Sequence, residues 1–134
     1  MNDLAVTDTH ALIWASSGQL RKLGRAARKL FEQAEARRAT IYVPTLVLVE
    51  VGNEVHLGRI VIESGFDDWV AALFASGGFA PIELTTAIVL RAEQLYAIPE
   101  RTDRLIAATA RELELPLITR DPEIERAAGV RTIW

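Results

Sequence analysis

The chain has 134 residues, 50% of them hydrophobic and 25% charged, which is ordinary globular composition and the length of one domain with one core, expected to span 1–134. It has no cysteine, which excludes a disulfide framework and a thiolate metal site. No apolar run approaches the ~18 residues of a membrane span, and no positive charge precedes the first apolar stretch, so a soluble, cytoplasmic protein is expected. A formal net charge of -3 excludes a uniformly basic nucleic-acid coat, yet leaves room for phosphates gripped through metals and a local basic patch.

Short β-like runs alternate with longer helical ones, which reads as α/β. Leu4–Thr7 form a first strand; after Asp8 comes a helix with Leu12, Ile13 and Trp14, closed by the Ser17-Gly18 turn. From Leu23 to Arg38, Leu23, Ala27, Leu30, Phe31 and Ala34 recur at helical spacing, while Arg21, Lys22, Arg25, Arg28 and Lys29 take the opposite face. Thr40–Val43 read as a second strand, and Pro44 opens a helix from Thr45 to about Leu57. A helix around Phe66–Ala75 ends at Gly77-Gly78, followed by a strand over Phe79–Leu84 and a helix over Thr86–Tyr96. Thr102 is the expected N-cap of a helix Asp103–Leu113; Pro116–Thr119 and Val130–Trp134 are the last two strands.

Four carboxylates stand at the ends of these strands or inside apolar segments: Asp8, Glu50, Asp103 and Asp121. Asp8 and Asp103 each have a plain explanation at the start of a helix, and Asp121 before Pro122 has one as a turn former. Glu50 interrupts the run Leu46–Val51 where a buried helix face is expected, and a carboxylate there calls for an arginine partner, a position on the helix's exposed edge, or a bound ligand. In an open α/β sheet, ligands bind beyond the carboxyl ends of the strands, so Asp8 and Asp121 share one rim if their strands are neighbours. Like charges gathered there repel, and a divalent cation is the usual remedy.

Four segments carry a resemblance: V-T-D-T-H-A-L-I-W at 6–14, V-P-T-L-V-L-V-E-V at 43–51, T-D-R-L-I-A-A-T-A at 102–110 and L-I-T-R-D at 117–121. In order, spacing and length the chain resembles the PIN-domain nucleases, most closely the VapC-like toxins of toxin–antitoxin pairs. The resemblance implies a three-layer α/β/α domain on a central parallel sheet of four or five strands. It implies Mg²⁺-dependent endoribonuclease activity with Mn²⁺ as a possible substitute, a homodimer, and inhibition by a cognate antitoxin protein. Asp8, Glu50, Asp103 and Asp121 stand at the family's four acidic positions, and Thr119 at a small hydroxyl residue that supports them. Two departures stand out: Glu100-Arg101-Thr102 replaces the acid-proline pair that many relatives carry before the third motif, and Val47 is apolar where some relatives place a hydroxyl.

On this reading Asp8, Asp103 and Asp121 hold one or two Mg²⁺, and Glu50 positions the attacking water or closes a second metal position, the two metals lying ~3.5–4 Å apart. Products with 5′-phosphate and 3′-hydroxyl ends are expected. His10 is read as pointing away from the acids and His56 as a helix C-terminal cation. The basic stripe is read as a solvated face, and Trp14, Trp69 and Trp134 as core or subunit-contact residues rather than stacking platforms. The alternative is a non-catalytic, metal-binding α/β regulatory or RNA- or protein-binding module. A phospho-acceptor domain of that kind pairs its acids with a nearby lysine, and the only lysines here are Lys22 and Lys29.

Overall fold

The computed structural model describes residues 3–134. Five strands form one sheet: β1 (Asp3–Thr7), β2 (Ala39–Pro44), β3 (Phe79–Ile82), β4 (Leu117–Ile118) and β5 (Thr132–Ile133), in the order β3-β2-β1-β4-β5 with every pairing parallel. Seven helices connect them: α1 (Thr9–Ser16), α2 (Arg25–Glu35), α3 (Thr45–His56), α4 (Phe66–Ala75), α5 (Thr86–Ala92), α6 (Arg101–Leu113) and α7 (Pro122–Ala128). The predicted α/β class and the upper of the two strand counts therefore hold.

The strand order dictates the layers. The chain steps outward from β1 to β2 to β3, then returns across β1 to β4 and β5, so right-handed crossovers put α1–α4 over one face and α5–α7 over the other. Helix contacts agree: α1 packs with α2 and α3, whereas α6 packs with α5 and α7. Both faces of the sheet are covered, which is why Ala5, Val6, Ile41, Val43, Leu117 and Ile118 are all fully buried. The order reverses between β1 and β4, making their carboxyl ends the topological switch point.

Four expectations need correction. The helix read from Leu23 begins only at Arg25, because Leu20–Lys22 make a separate 3₁₀ turn and Leu23 is extended at φ -85°, ψ 144°. The helix expected through Tyr96 stops at Ala92, where Gln94, Leu95 and Ile98 N–H groups switch to carbonyls three residues back. Thr102 does not cap α6: the helix starts at Arg101 behind Glu100, and Arg104 Nη1 fixes the entering chain by donating to the Ile98 and Pro99 carbonyls, both at 3.0 Å. The segment after Asp121, which had been given no helix, is α7. Its signals are complete in the sequence: Asp121 at the N-cap, Pro122 at the first helical position, and Gly129 beyond the end at φ 69°.

Candidate active site

β1 ends at Thr7, whose hydroxyl donates to the Asp8 carbonyl, and the Asp8 N–H donates to the Ile118 carbonyl at 3.1 Å. This bond ties the end of β1 to the end of β4, so Asp8 and the Thr119–Asp121 segment leave the sheet side by side at the switch point. Asp8 Oδ1 caps α1 by accepting from the Ala11 N–H at 2.9 Å. Asp121 Oδ1 caps α7 by accepting from the Glu123 N–H at 3.0 Å. Capping uses one carboxylate oxygen of each and fixes where the carboxylate sits.

The helices bring the other two acids. α3 and α6 lie over opposite faces of the sheet yet approach each other, and Glu50 and Asp103 join Asp8 and Asp121 in the lining of one open cavity of about 380 Å³. Val47 and Val51 are the buried anchors of α3, while Val49 is 71% exposed; Glu50, between these faces, is half-buried at the cavity wall. Its partner is a hydroxyl, not an arginine: Thr9 Oγ1 donates to Glu50 Oε1. Thr9 is thus a site residue that the sequence reading missed.

The charges of these acids act on one another. Burial pushes the Asp103 carboxyl from 3.8 up to about 6, and the negative charges of Glu100, Asp8, Glu50 and Asp121 add to the rise. Burial also raises Asp8, opposed in part by the Ala11 N–H, the Thr119 hydroxyl beside it and the charge of His10. Thr119, fully inside the fold, also accepts from the Asp121 N–H at 3.3 Å, so one hydroxyl serves two of the acids. Glu100 shares the cavity lining and is the first of the charges that raise Asp103.

Among the described residues no three acidic side chains already surround a single point. The acids ring a cavity and do not form a closed coordination shell. Such an open set of carboxylates suits a divalent cation that keeps part of its water shell. An all-oxygen donor set in a chain without cysteine likewise favours a hard cation over zinc.

Two further readings change. His10 does not point away from the acids: it lines the same cavity, with its ring 5.7 Å from that of Trp14. Trp14 and Trp134 also line it, whereas Trp69 packs beside Phe66 on α4. His56 is the exposed last residue of α3.

The family model for the PIN domain matches residues 5–130. No curated protein matches the chain. Among solved structures it is similar to VapBC2 from Rickettsia felis, bound to a DNA fragment from its promoter, with a TM-score of 0.67 at 15% identity over 96% of each chain. DNA-bound VapBC from Salmonella typhimurium gives 0.65 at 16% identity, covering 98% of this chain and 97% of that one. A toxin–antitoxin complex from Klebsiella pneumoniae gives 0.58 at 25% identity, covering 90% and 89%.

Proposed function

The chain belongs to the PIN-domain family, and from that premise we propose that residues 1–134 form one Mg²⁺-dependent endoribonuclease domain acting as the toxin of a toxin–antitoxin pair. The observation that carries the nuclease reading is the meeting of Asp8, Glu50, Asp103 and Asp121 in one cavity, with Asp103 held up to about 6 by burial and its acidic neighbours. Such a site gains by taking up positive charge.

The chemistry that a divalent cation would supply at this site, when bound, is charge neutralisation at the phosphate and a lowered pKa for the attacking water. Asp8, Asp103 and Asp121 are the residues that would hold the cation, one or two directly and the rest through its waters. Glu50, oriented by the Thr9 hydroxyl, accepts a hydrogen bond from the attacking water and aligns it with the phosphorus. The Thr119 hydroxyl opposes part of the rise that burial imposes on Asp8 and fixes the turn that presents Asp121. The RNA 2′-hydroxyl has no part in this, so products carry 5′-phosphate and 3′-hydroxyl ends.

The structural relatives solved as toxin–antitoxin complexes support an antitoxin protein as partner. No helix among the described residues is long and apolar enough to cross a membrane, in keeping with a cytoplasmic protein. A homodimer completes the reading. The test is cleavage of a mixed RNA pool with Mg²⁺ or Mn²⁺ against EDTA, beside Asp8→Asn, with product ends identified. Metal-dependent cuts leaving 5′-phosphates, lost in the variant, support it. Cyclic phosphate ends, or equal cleavage in EDTA, reject it.

A further inference from the structure

The acid cavity shares its lining with an aromatic cluster that the metal chemistry does not use. The Trp14 ring meets Trp134 edge-on at 5.9 Å and His10 at 5.7 Å, and all three residues line the cavity together with Arg120. Two cations attend the same indole, Lys22 Nζ at 5.6 Å and Arg120 Cζ at 5.5 Å from its centroid. Ion pairs among the described residues join Arg59 to Glu54, Arg91 to Glu112 and Arg126 to Glu123, so neither Lys22 nor Arg120 is in a direct ion pair among them.

The cluster is also held rigid. A Cβ on Gly24 would stand 2.3 Å from the Trp134 carbonyl carbon and 2.7 Å from its ring Cδ1, so only glycine there admits Trp134 to its seat. The Ala26 N–H fixes the same residue by donating to its carbonyl at 3.1 Å. An indole that is only half-buried, meets a second indole edge-on and carries two long, flexible cations over its ring has the parts of a single-strand nucleic-acid platform: positive charge that phosphates draw aside, and the π face it then uncovers for a base.

We propose that Trp14, backed by Trp134 and His10 and flanked by Lys22 and Arg120, is a base-stacking shelf that holds a nucleotide beside the cleaved bond of single-stranded RNA. The proposal rests on the nuclease reading above. An acidic cavity repels a polyanion, and Lys22 and Arg120 offset that repulsion where the chain must enter. Every base has a π face, so the shelf contributes affinity with little preference among bases. It also disfavours duplexes, whose bases are already stacked.

The test is kinetics on a short fluorescent single-stranded RNA with an abasic nucleotide stepped through the positions flanking the cut, using the parent, Trp14→Leu and Trp14→Phe. Loss of stacking in Trp14→Leu raises KM roughly 5- to 100-fold and changes kcat less than about threefold, while Trp14→Phe stays within about fivefold of the parent. One abasic position raises the parent's KM by a similar factor and adds nothing on top of Trp14→Leu. An abasic penalty equal in parent and Trp14→Leu, or a parent indifferent to abasic sites, overturns the shelf and leaves the nuclease standing. If Trp14→Leu fails to fold, Trp14→Ala or Trp14→Met takes its place in the same cycle, and a parent indifferent to abasic sites overturns the shelf without any variant. A parent that neither cuts nor binds the RNA brings down the nuclease reading, and the shelf with it.

Discussion

Asp8 both caps α1 and carries charge into the cavity, and the two roles separate by substitution. Asparagine caps as well as aspartate does, so Asp8→Asn keeps the bond from Ala11 while removing the charge. We expect cleavage to fall about 100-fold or more, with no loss of melting temperature in EDTA, whereas Asp8→Ala costs about 1 kcal/mol relative to Asp8→Asn. A clear loss of stability in Asp8→Asn would make the aspartate a structural cap only. Asp103 makes a pH prediction. The unfolded chain releases that proton near 3.8 and the folded protein holds it to about 6, so the stability it lends the metal-free protein is whole below pH 3.8 and is lost as pH rises through 6. Allowing for solvent screening of a half-exposed group, the loss is on the order of 1 kcal/mol. Melts in EDTA across that range should show the parent declining against Asp103→Asn; parallel curves would mean that neither burial nor the neighbouring acids raise it. Thr9→Val should lower kcat about tenfold by releasing Glu50, and Thr9→Ser should restore it. The four acids were legible because a charge at a strand end or in an apolar run demands a reason. Thr9, His10 and Arg120 were not, because the direction a side chain takes into a cavity is set by tertiary packing that no local pattern encodes.

At the scale of elements, what could be read was whatever had its own punctuation. α4 was bounded correctly because Gly77-Gly78 stops it, and α3 because Pro44 starts it. α7 was equally punctuated but short, and the same Asp121-Pro122 pair that forms a turn also opens a helix. The true end of α5 carries no such mark, since the chain simply tightens so that Leu95 and Ile98 can enter the core. Gly78 shows how an element boundary also encodes a contact. A Cβ there would stand 1.8 Å from the Ala34 carbonyl oxygen, where the entry to β3 crosses the end of α2, and the Gly78 carbonyl accepts from the Ile41 N–H at 2.9 Å. Gly78→Ala must therefore move backbone and break the β2–β3 register, at a cost of roughly 3 kcal/mol or more. Gly129→Ala meets no backbone and suffers only its positive φ of 69°, about 1 kcal/mol. Urea denaturation of the two variants measures the difference, and equal losses would mean that the α2–β3 crossing yields easily.

Across the whole molecule, one topological fact organises the site. The reversal of strand order between β1 and β4 sends helices to opposite faces, and only at that crevice can α3 and α6, from opposite layers, bring acids to the same strand ends. Alternating strands and helices made the α/β class legible, but strand order is a long-range property, and the convergence of the acids was readable only through family resemblance. The stability of the molecule is tied to this convergence, because the fold holds like charges together at its centre. A cation that binds the folded site and not the unfolded chain stabilises by about 2.7 kcal/mol at a concentration 100 times its Kd. For a chain of this length that is a rise in melting temperature of roughly 5–10 °C. Mg²⁺ should produce such a rise in the parent, and a much smaller one in Asp8→Asn and Asp103→Asn, whose metal-free melts start no lower. Calorimetry with and without Mg²⁺ reads both effects in one experiment. An equal Mg²⁺ shift in parent and variants would place the cation elsewhere on the surface and remove the physical basis for gathering four carboxylates at the switch point.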